Sequence, residues 1–394
     1  MTTMKSWNSV DLGSVVQLIN GDRGKNYPSQ KDFINDGIPF INAGHIQEGS
    51  IQFESMNYIS QETFNLLGSG KIRPNDILYC LRGSLGKTAI IQDIDKGAIA
   101  SSLVIIRPSK DITIKYLYYF LTSYLGQAEI YKHDNGSAQP NLSAASVKAY
   151  KIPLPPLEEQ KRIAAILDKA DRIRRKRQEA IRLTKELGRS IFLDMFGDPV
   201  TNPKGWEIDD LGNVGILDRG KSKHRPRNDP SLLGGKYPLI QTGDVANSQG
   251  FIQSYSQTYS EKGLAQSRLW KAGTLCITIA ANIADTGILE FDACFPDSIV
   301  GFTPSISVTT EYVKAWFQFF QPILEANAPQ SAQKNINLAI LRKLEIIVPP
   351  IEKQKYFSKL INKLRVDSEK QKQYSKEAEN LFNSLLQRAF RGEL

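Results

Sequence analysis

The chain has 394 residues, 41% of them hydrophobic and 23% charged, which is too long for one ordinary core and predicts at least two soluble globular domains. Fifty Lys and Arg against 41 Asp and Glu leave a formal charge of +9, a balance that permits nucleic-acid binding without requiring it. Three cysteines (Cys80, Cys276, Cys294) with no CxxC spacing exclude a disulfide framework and a zinc finger, and suit a reducing cytoplasm. No apolar run reaches membrane-spanning length, and MTTMKSWNSVDLGS lacks the layout of a signal peptide, so an intracellular protein is expected.

In chain order, Trp7 and Asp11-Leu12-Gly13 come first, then a polar stretch from Asp22 to Asp32 and the segment IPFINAGHI from Ile38 to Ile46. The β-branched runs DILYCL, TAII and SLVII, bounded by Gly, Pro, Asn and Asp, read as strands. Ile114 to Leu125 carries aromatics at helical spacing and reads as a helix with those rings in the core. Pro155-Pro156 then opens a helical register that runs some three dozen residues, broken in composition only by Gly188. A second set follows: Trp206 with Asp210-Leu211-Gly212, YPLIQTGDV from Tyr237 to Val245, the strand runs GTLCITIA and SIVGF, a helix from Glu311 to Leu324, and Pro349-Pro350 before a last helix.

The two sets are one module written twice. At an offset of 194 residues Pro155, Pro156, Glu158, Gln160 and Lys161 recur as Pro349, Pro350, Glu352, Gln354 and Lys355. Ser137, Gln139 and Asn141 recur as Ser331, Gln333 and Asn335, and Phe196 as Phe390. Each repeat is far longer than a solenoid unit, so the fold class is α+β, repeated.

Both long helices carry positions stepping by threes and fours. In the first these are Ile163, Ile166, Ala170, Ile173, Arg177, Ala180, Thr184, Leu187 and Ile191; in the second they are Phe357, Leu360, Leu364, Asp367, Gln371, Tyr374, Ala378, Leu381 and Leu385. That spacing is a coiled-coil seam, and each helix is the obvious partner of the other. Antiparallel pairing sets Ile163 against Leu385, Ala170 against Ala378, Thr184 against Leu364 and Ile191 against Phe357. The centre is then Arg177 opposite Gln371, with Asp367 one layer away to accept from Arg177. A polar pair there fixes register at a cost in stability. About 38 residues at ~1.5 Å rise give each helix roughly 57 Å of length.

No catalytic constellation is found. In CLRGSLGKTAII a phosphate loop would need glycine where Leu81 stands, so Leu81 to Thr88 reads as strand, turn, strand. The two Pro-Pro pairs lie in LPPL and VPPI and do not form a methyltransferase tetrad; Pro296-Asp297 has no Glu-x-Lys partner; His45, His133 and His224 stand alone.

A repeated globular module with PPLEEQKRIAAILDKADRIRRK and FLDMFGDP after the first copy, and a second helix closing on LQRAFRGEL, resembles the specificity subunit of type I restriction-modification systems over its whole length. The resemblance implies two target-recognition domains (1–154 and 200–348) separated by two conserved helical spacers (155–199 and 349–394), the helices forming an antiparallel coiled coil with pseudo-twofold symmetry. It further implies that each domain reads one half of a split, asymmetric double-stranded DNA target. Two modification subunits, binding S-adenosylmethionine and methylating adenine N6, dock on the helices, and restriction subunits join to translocate and cut. On this reading the chain itself is not an enzyme and holds no cofactor or metal. It works in the bacterial or archaeal cytoplasm, at the nucleoid. The alternative is a repeat scaffold whose domains bind protein.

Two domains reading different sequences share a scaffold and differ in their readers. The shared Ser137, Gln139, Asn141, Ser331, Gln333 and Asn335 are therefore taken as structural, like Pro155, Pro156, Gln160, Pro349, Pro350 and Gln354. The divergent stretches nominate Lys25, Asn26, Tyr27, Arg82 and Lys87 in the first copy. In the second they nominate Arg219, Lys221, Lys223, His224, Arg225, Arg227 and Asn282. The run RIRRKRQEAIR from Arg172 to Arg182 reads as solvated or as a contact for modification subunits. Deleting residues 351–394 is expected to remove the docking platform and leave the first globular domain folded.

Overall fold

A computed structural model describes residues 7–92, 94–133, 141–224, 226–280, 283–327 and 336–394. Ser137, Gln139, Arg225, Asn282, Ser331, Gln333 and Asn335 lie outside the described residues. The chain divides into two compact units, residues 1–178 with 373–394 and residues 179–372. Among the described residues no helix is long and apolar enough to cross a membrane.

In the first unit the buried run Ile77–Cys80 pairs antiparallel with Leu103–Pro108 on one side and Thr88–Ile90 on the other, and Val16–Asn20 closes the sheet beyond Leu103–Pro108. A second sheet runs Ala98–Ile99, Ile38–Ile41, Asn57–Ile59, Phe33–Ile34. The second unit repeats the first order and three consecutive strands of the second, with the remaining strand on the opposite edge. Gly215–Arg219, Ile299–Pro304, Leu275–Thr278 and Thr286–Leu289 form the first sheet, with Phe251–Ile252 added parallel to its edge; Gln257–Tyr259, Leu233–Leu239, Ala293–Cys294 and Leu269–Trp270 form the other. The α+β repeat legible in the sequence is thus a repeat of sheet topology.

The aromatic helices are core, as their spacing indicates. Tyr116, Leu117, Tyr119 and Phe120 of Ile114–Thr122 are buried, and so are Tyr312, Trp316 and Phe317 of Thr310–Asn327. The first is shorter than the sequence suggests. The Ser123 hydroxyl donates to Phe120 O at 2.7 Å and accepts from Gly126 N at 3.2 Å, ending one helix and starting Tyr124–His133. A side chain at Gly126 would fall 2.3 Å from Phe120 O, so the corner needs glycine.

The doubled Pro-Pro punctuation has a specific job. The carbonyls of Pro156 and Pro350 accept the first helical amides of Leu157–Phe196 and Ile351–Phe390. Gln160, fully buried, then turns back: its Oε1 accepts from Thr113 N at 2.8 Å, and its Nε2 donates to Asp111 O at 3.0 Å and Pro155 O at 2.9 Å. Gln354 repeats this with Thr309 N at 3.0 Å, Ser307 O at 3.0 Å and Pro349 O at 2.7 Å. One side chain therefore joins the start of each long helix to the turn preceding the aromatic helix. Tyr116 and Tyr312 reinforce the joint by donating to Pro153 O and Ile347 O, both at 2.7 Å. The repeated Asp-Leu-Gly is explained by contact: a Cβ on Gly13 or Gly212 would crowd Lys148 or Arg342 at 3.0–3.2 Å.

Both units take in half of each long helix. In the first unit Arg174 meets Glu379 at 3.2 Å and Arg177 stands 5.2 Å over the Tyr374 ring, while Arg162 donates to Leu394 O at 2.7 Å. In the second, Gly188 faces Ile361 and Phe192 lies 5.7 Å from Phe357. Numbers rise along one helix as they fall along the other, so the pairing is antiparallel. The seam differs from its sequence reading at Ile173, Leu187, Asp367, Tyr374 and Leu381, which are exposed. Ile173 and Leu187 are 44% and 47% exposed, Leu381 is 53% exposed, and the inward positions are Leu167, Arg174, Gly188, Ser368 and Phe382. The inner stripe serves a globular domain as well as the partner helix, which moves its phase by one residue. Arg177 belongs to the first unit; Gln371 and an exposed Asp367 belong to the second.

The helix ends complete the globular cores. Phe382, Leu386, Ala389 and Phe390 join the first unit's cluster, with the Phe390 ring 5.2 Å from Tyr116 and 5.7 Å from Phe120. Phe192 and Phe196 join that of the second unit, against Tyr312 at 5.6 and 5.0 Å. This corrects the expected effect of deleting 351–394: the cut would open the first domain's core instead of leaving it folded.

Gln354→Leu strands one amide and two carbonyls beside a buried methylene-sized gap. It is expected to lower stability by about 2–4 kcal/mol in urea denaturation, whereas Glu158→Ala, in the same repeated motif but exposed, changes the midpoint little.

Candidate nucleic-acid interface

In the first unit the strand Val16–Asn20 ends at Gly21, where a Cβ would lie 2.6 Å from Ala100 O, so the backbone passes hard against the turn at Ala100. Asp22 then accepts from Gly24 N and Gly68 N, both at 2.7 Å, and these amides hold its carboxyl below the usual range. Arg23 donates to Ser101 O at 3.4 Å. Of the nominated residues here, Lys25 is exposed, Asn26 donates to Leu66 O at 2.9 Å, and Tyr27 rests edge-on against Phe40 at 5.7 Å.

Leu81 to Thr88 is the strand, turn, strand that the sequence indicates, closed by Gly86 N donating to Cys80 O at 3.0 Å and Lys87 N to Ser84 O at 3.2 Å. Arg82 and Lys87 are exposed on it. Arg82 Nε donates to Asn141 Oδ1 at 3.3 Å, while Leu142 N donates to Leu81 O at 2.9 Å and Leu81 N to Ser102 O at 2.8 Å. The Ser101-Ser102 turn thus gathers Arg23, Arg82 and Asn141 on one face. Lys87 sits at the other end of the turn, where Gly86 abuts Gln127 and Ile130.

The second unit rebuilds this scaffold with other side chains. Ile336 N donates to Ile279 O and Ile279 N to Ser298 O, both at 3.0 Å, replacing the ladder of Leu142, Leu81 and Ser102. Gly220, which a Cβ would bring to 2.3 Å from Phe295 O, takes the place of Gly21. The shared string Asp-Arg-Gly-Lys is therefore out of step with the structure by three residues. Arg219 lies on the strand, opposite Val300, whereas Arg23 follows its strand, because pairing with the central strand and not the string sets the register.

The cationic segment after Gly220 is tethered through its backbone. Lys221 N donates to Phe295 O at 3.1 Å, Ser267 Oγ to Lys221 O at 2.8 Å, and Gln266 Oε1 accepts from Lys223 N at 2.6 Å and His224 N at 3.0 Å. Its side chains stay outside: Arg219, Lys221, Lys223 and Arg227 are exposed. Acids partly relieve their repulsion. Arg227 is paired with Asp297, and the His224 ring meets Asp229 at 3.0 Å. The Ser231 hydroxyl and amide, with His224, hold the Asp229 carboxyl down at about 2. Asp297 stands where the first copy has Ser101, so a cation reaches the same turn in both units.

Sequence reasoning passed over two cations. Arg23 sits in a string that looked common to both copies. Arg268, just before the strand Leu269–Trp270, lies 3.9 Å over the Trp270 ring and 2.9 Å from Asp218, and its only signal was its place two residues before that Trp. Among the described residues no group of His, Cys, Asp and Glu could hold a metal ion. The cysteines are buried, and burial pushes the thiols of Cys80, Cys276 and Cys294 up.

Two copies of one α+β scaffold, each offering a differently charged loop face beside a shared pair of antiparallel helices, define a duplicated recognition protein. The profile of the type I restriction modification DNA specificity domain matches residues 4–183 and 203–378, and the chain belongs to that family. It is 23% identical over 405 residues to the putative type I restriction enzyme MjaX specificity subunit of Methanocaldococcus jannaschii, covering 97% of this chain and 93% of that one. It is 22% identical to the EcoKI specificity subunit of Escherichia coli K12, covering 99% of this chain and 89% of the other. The fold is that of the type I restriction-modification S subunit from M. genitalium, with a TM-score of 0.59 at 15% identity over 99% of this chain and 97% of that one.

Gln266→Ala removes the acceptor that fixes two consecutive amides of the cationic segment. Amide hydrogen exchange at Lys223 and His224 is expected to rise about tenfold or more, with the strand Leu275–Thr278 unchanged.

Proposed function

We propose that each globular domain reads one half of a split, asymmetric DNA target and that the long helices set the number of unread base pairs and dock the modification subunits. The reading is carried by one observation: the ladder of Leu142, Leu81 and Ser102 is rebuilt by Ile336, Ile279 and Ser298 while the side chains around it change. A constant frame with variable display is what two half-sites of different sequence require. Arg82 with Asn141 and Arg23 serve the first half-site. Arg227 and Arg268 serve the second, and Arg219, Lys221 and Lys223 hold phosphates around it. Lys25, exposed close to Arg23 in the chain, is assigned to the first half-site as well.

The chain performs no chemistry on this reading. S-adenosylmethionine is held by modification subunits that methylate adenine N6, restriction subunits complete the assembly, and the complex acts on the nucleoid in the cytoplasm. Support for helix docking comes from the outer stripe. Leu187 and Leu381 are repeat-equivalent and both about half exposed, and Leu183 beside Leu187 is 50% exposed. Within the run Arg172 to Arg182, Arg174 and Arg175 pair with Asp171 and Arg182 with Glu179 and Glu186, which favours a solvated or protein-facing role for these three over base contact.

Sequencing of methylated adenines in a host with the complete system is expected to give two half-sites. Arg82→Ala should relax only one and Arg227→Ala only the other, each by about 1–3 kcal/mol of discrimination. Lys221→Gln should instead weaken binding to all sequences and lower the salt slope by about 1. A change in both half-sites from either Arg variant overturns the assignment. Leu187→Glu with Leu381→Glu is expected to abolish co-purification of modification subunits while leaving the unfolding midpoint within about 2 °C of the parent; retained binding refutes helix docking.

A further inference from the structure

The internal repeat isolates a surface at which the two copies carry opposite charge. It lies where the aromatic helix of each globular domain meets the start of its own long helix. In the first unit Lys115 of Ile114–Thr122 meets Asp168 of the long helix at 3.2 Å, and Tyr119 donates to the same carboxylate at 2.6 Å. Asp171, buried one turn on, is held by Arg174 and Arg175. Lys115, Tyr119, Asp168, Asp171 and Arg175 line a cleft of about 380 Å³ together with Gln92.

Equivalent positions in the second unit follow from geometry. Tyr116 and Tyr312 donate to equivalent carbonyls, so Lys115 corresponds to Glu311. Gln160 and Gln354 fix the helices, so Asp168 and Asp171 correspond to Asn362 and Arg365. Thr88 and Thr286 hold the same place in the sheet, so Gln92 corresponds to Glu290. Here the domain supplies the acids. Glu311 accepts from Ser358 at 3.0 Å and Asn362 at 3.3 Å, and Glu290 pairs with Arg365, whose guanidinium stands 4.6 Å over Phe251.

We propose that this surface is an address that matches each recognition domain to its own stretch of spacer helix. The first domain presents a cation and a phenol to helix carboxylates; the second presents carboxylates to a helix amide and guanidinium. A crossed arrangement would set Asp168 against Glu311 and Asp171 against Glu290, and Lys115 near Arg365, in partly buried surroundings where like charges repel strongly. Tandem repeats are prone to exchange of equivalent elements within a chain or between two copies of it, and inverted charge disfavours that exchange while leaving topology untouched. The unit that travels as one recognition module therefore ends inside the helix, beyond Arg175 in the first copy and Glu369 in the second, instead of at the Pro-Pro pairs.

The test rewrites the first address as the second in the full-length chain. Lys115→Glu, facing Asp168, is expected to lower the thermal midpoint by about 2–4 °C. Asp168→Asn keeps an acceptor for Tyr119 and costs less. The double variant Lys115→Glu with Asp168→Asn reproduces the Glu311 and Asn362 pair and is expected to recover most of the loss. Asn362→Asp, which writes half of the first address into the second copy, should lower the midpoint although aspartate is native at the equivalent place. A double variant as unstable as the sum of its parts, or an unchanged midpoint for both Lys115→Glu and Asn362→Asp, overturns the proposal.

Discussion

Neither globular half can close its core alone, and the remaining architecture depends on that constraint. The first half takes Ile163, Leu167 and Ala170 from the start of one long helix and Phe382, Leu386 and Phe390 from the end of the other; the second takes Phe357 and Phe192 with Phe196 in the same way. Large rings buried at helix ends each remove on the order of 150–250 Å² from water, more than any exposed pair on the helices can contribute. The spacer is consequently a structural part of both domains. This is why Gln160 and Gln354, which set the angle at which each helix leaves its domain, are buried with every polar atom bonded.

On that shared frame the two copies have diverged in two places for different reasons. Around the turns at Ser101 and Asp297 they display different side chains toward solvent, where variation costs the fold little because the ladder beneath consists of backbone hydrogen bonds. Where the aromatic helix meets the spacer, the divergence is compensated across the contact: a change of sign on one side is answered on the other. Lys115, Asp168, Glu311 and Arg365 show this compensation between a domain and its own helix.

The acids on the second unit's cationic face bear on how that face would meet DNA under the proposed function. Asp297 and Asp218 each lie beside an arginine of the same face, and Asp229 beside the His224 ring. They order side chains that would otherwise repel, and they keep the face from being a featureless positive surface, which would favour phosphate over sequence. In the first unit the corresponding turn offers a main-chain oxygen to Arg23 instead. The two faces therefore differ in electrostatic character as well as in residue identity.

The sequence by itself determined the duplication, the α+β class and the two long helices, since each follows from local signals: the doubled Pro-Pro-x-Glu-x-Gln, β-branched runs between turn residues, and apolar spacing near the helical period. It also marked Arg82 and the segment after Gly220 as places where the copies part. Tertiary structure alone decided the phase of the helix seam, because a stripe that serves a globular domain and a partner helix at once turns differently from one that serves a helix only; Ile173 and Leu187 point outward for that reason. It decided that Gly21 and not Gly24 corresponds to Gly220, because strand register is fixed by hydrogen bonds to a neighbouring strand some 80 residues away. It also revealed the inverted charges of Lys115 with Asp168 and Glu311 with Asn362, whose members lie about fifty residues apart in each copy. Pairing between distant residues leaves no mark in local spacing, and so it could be read only once the chain had brought them together.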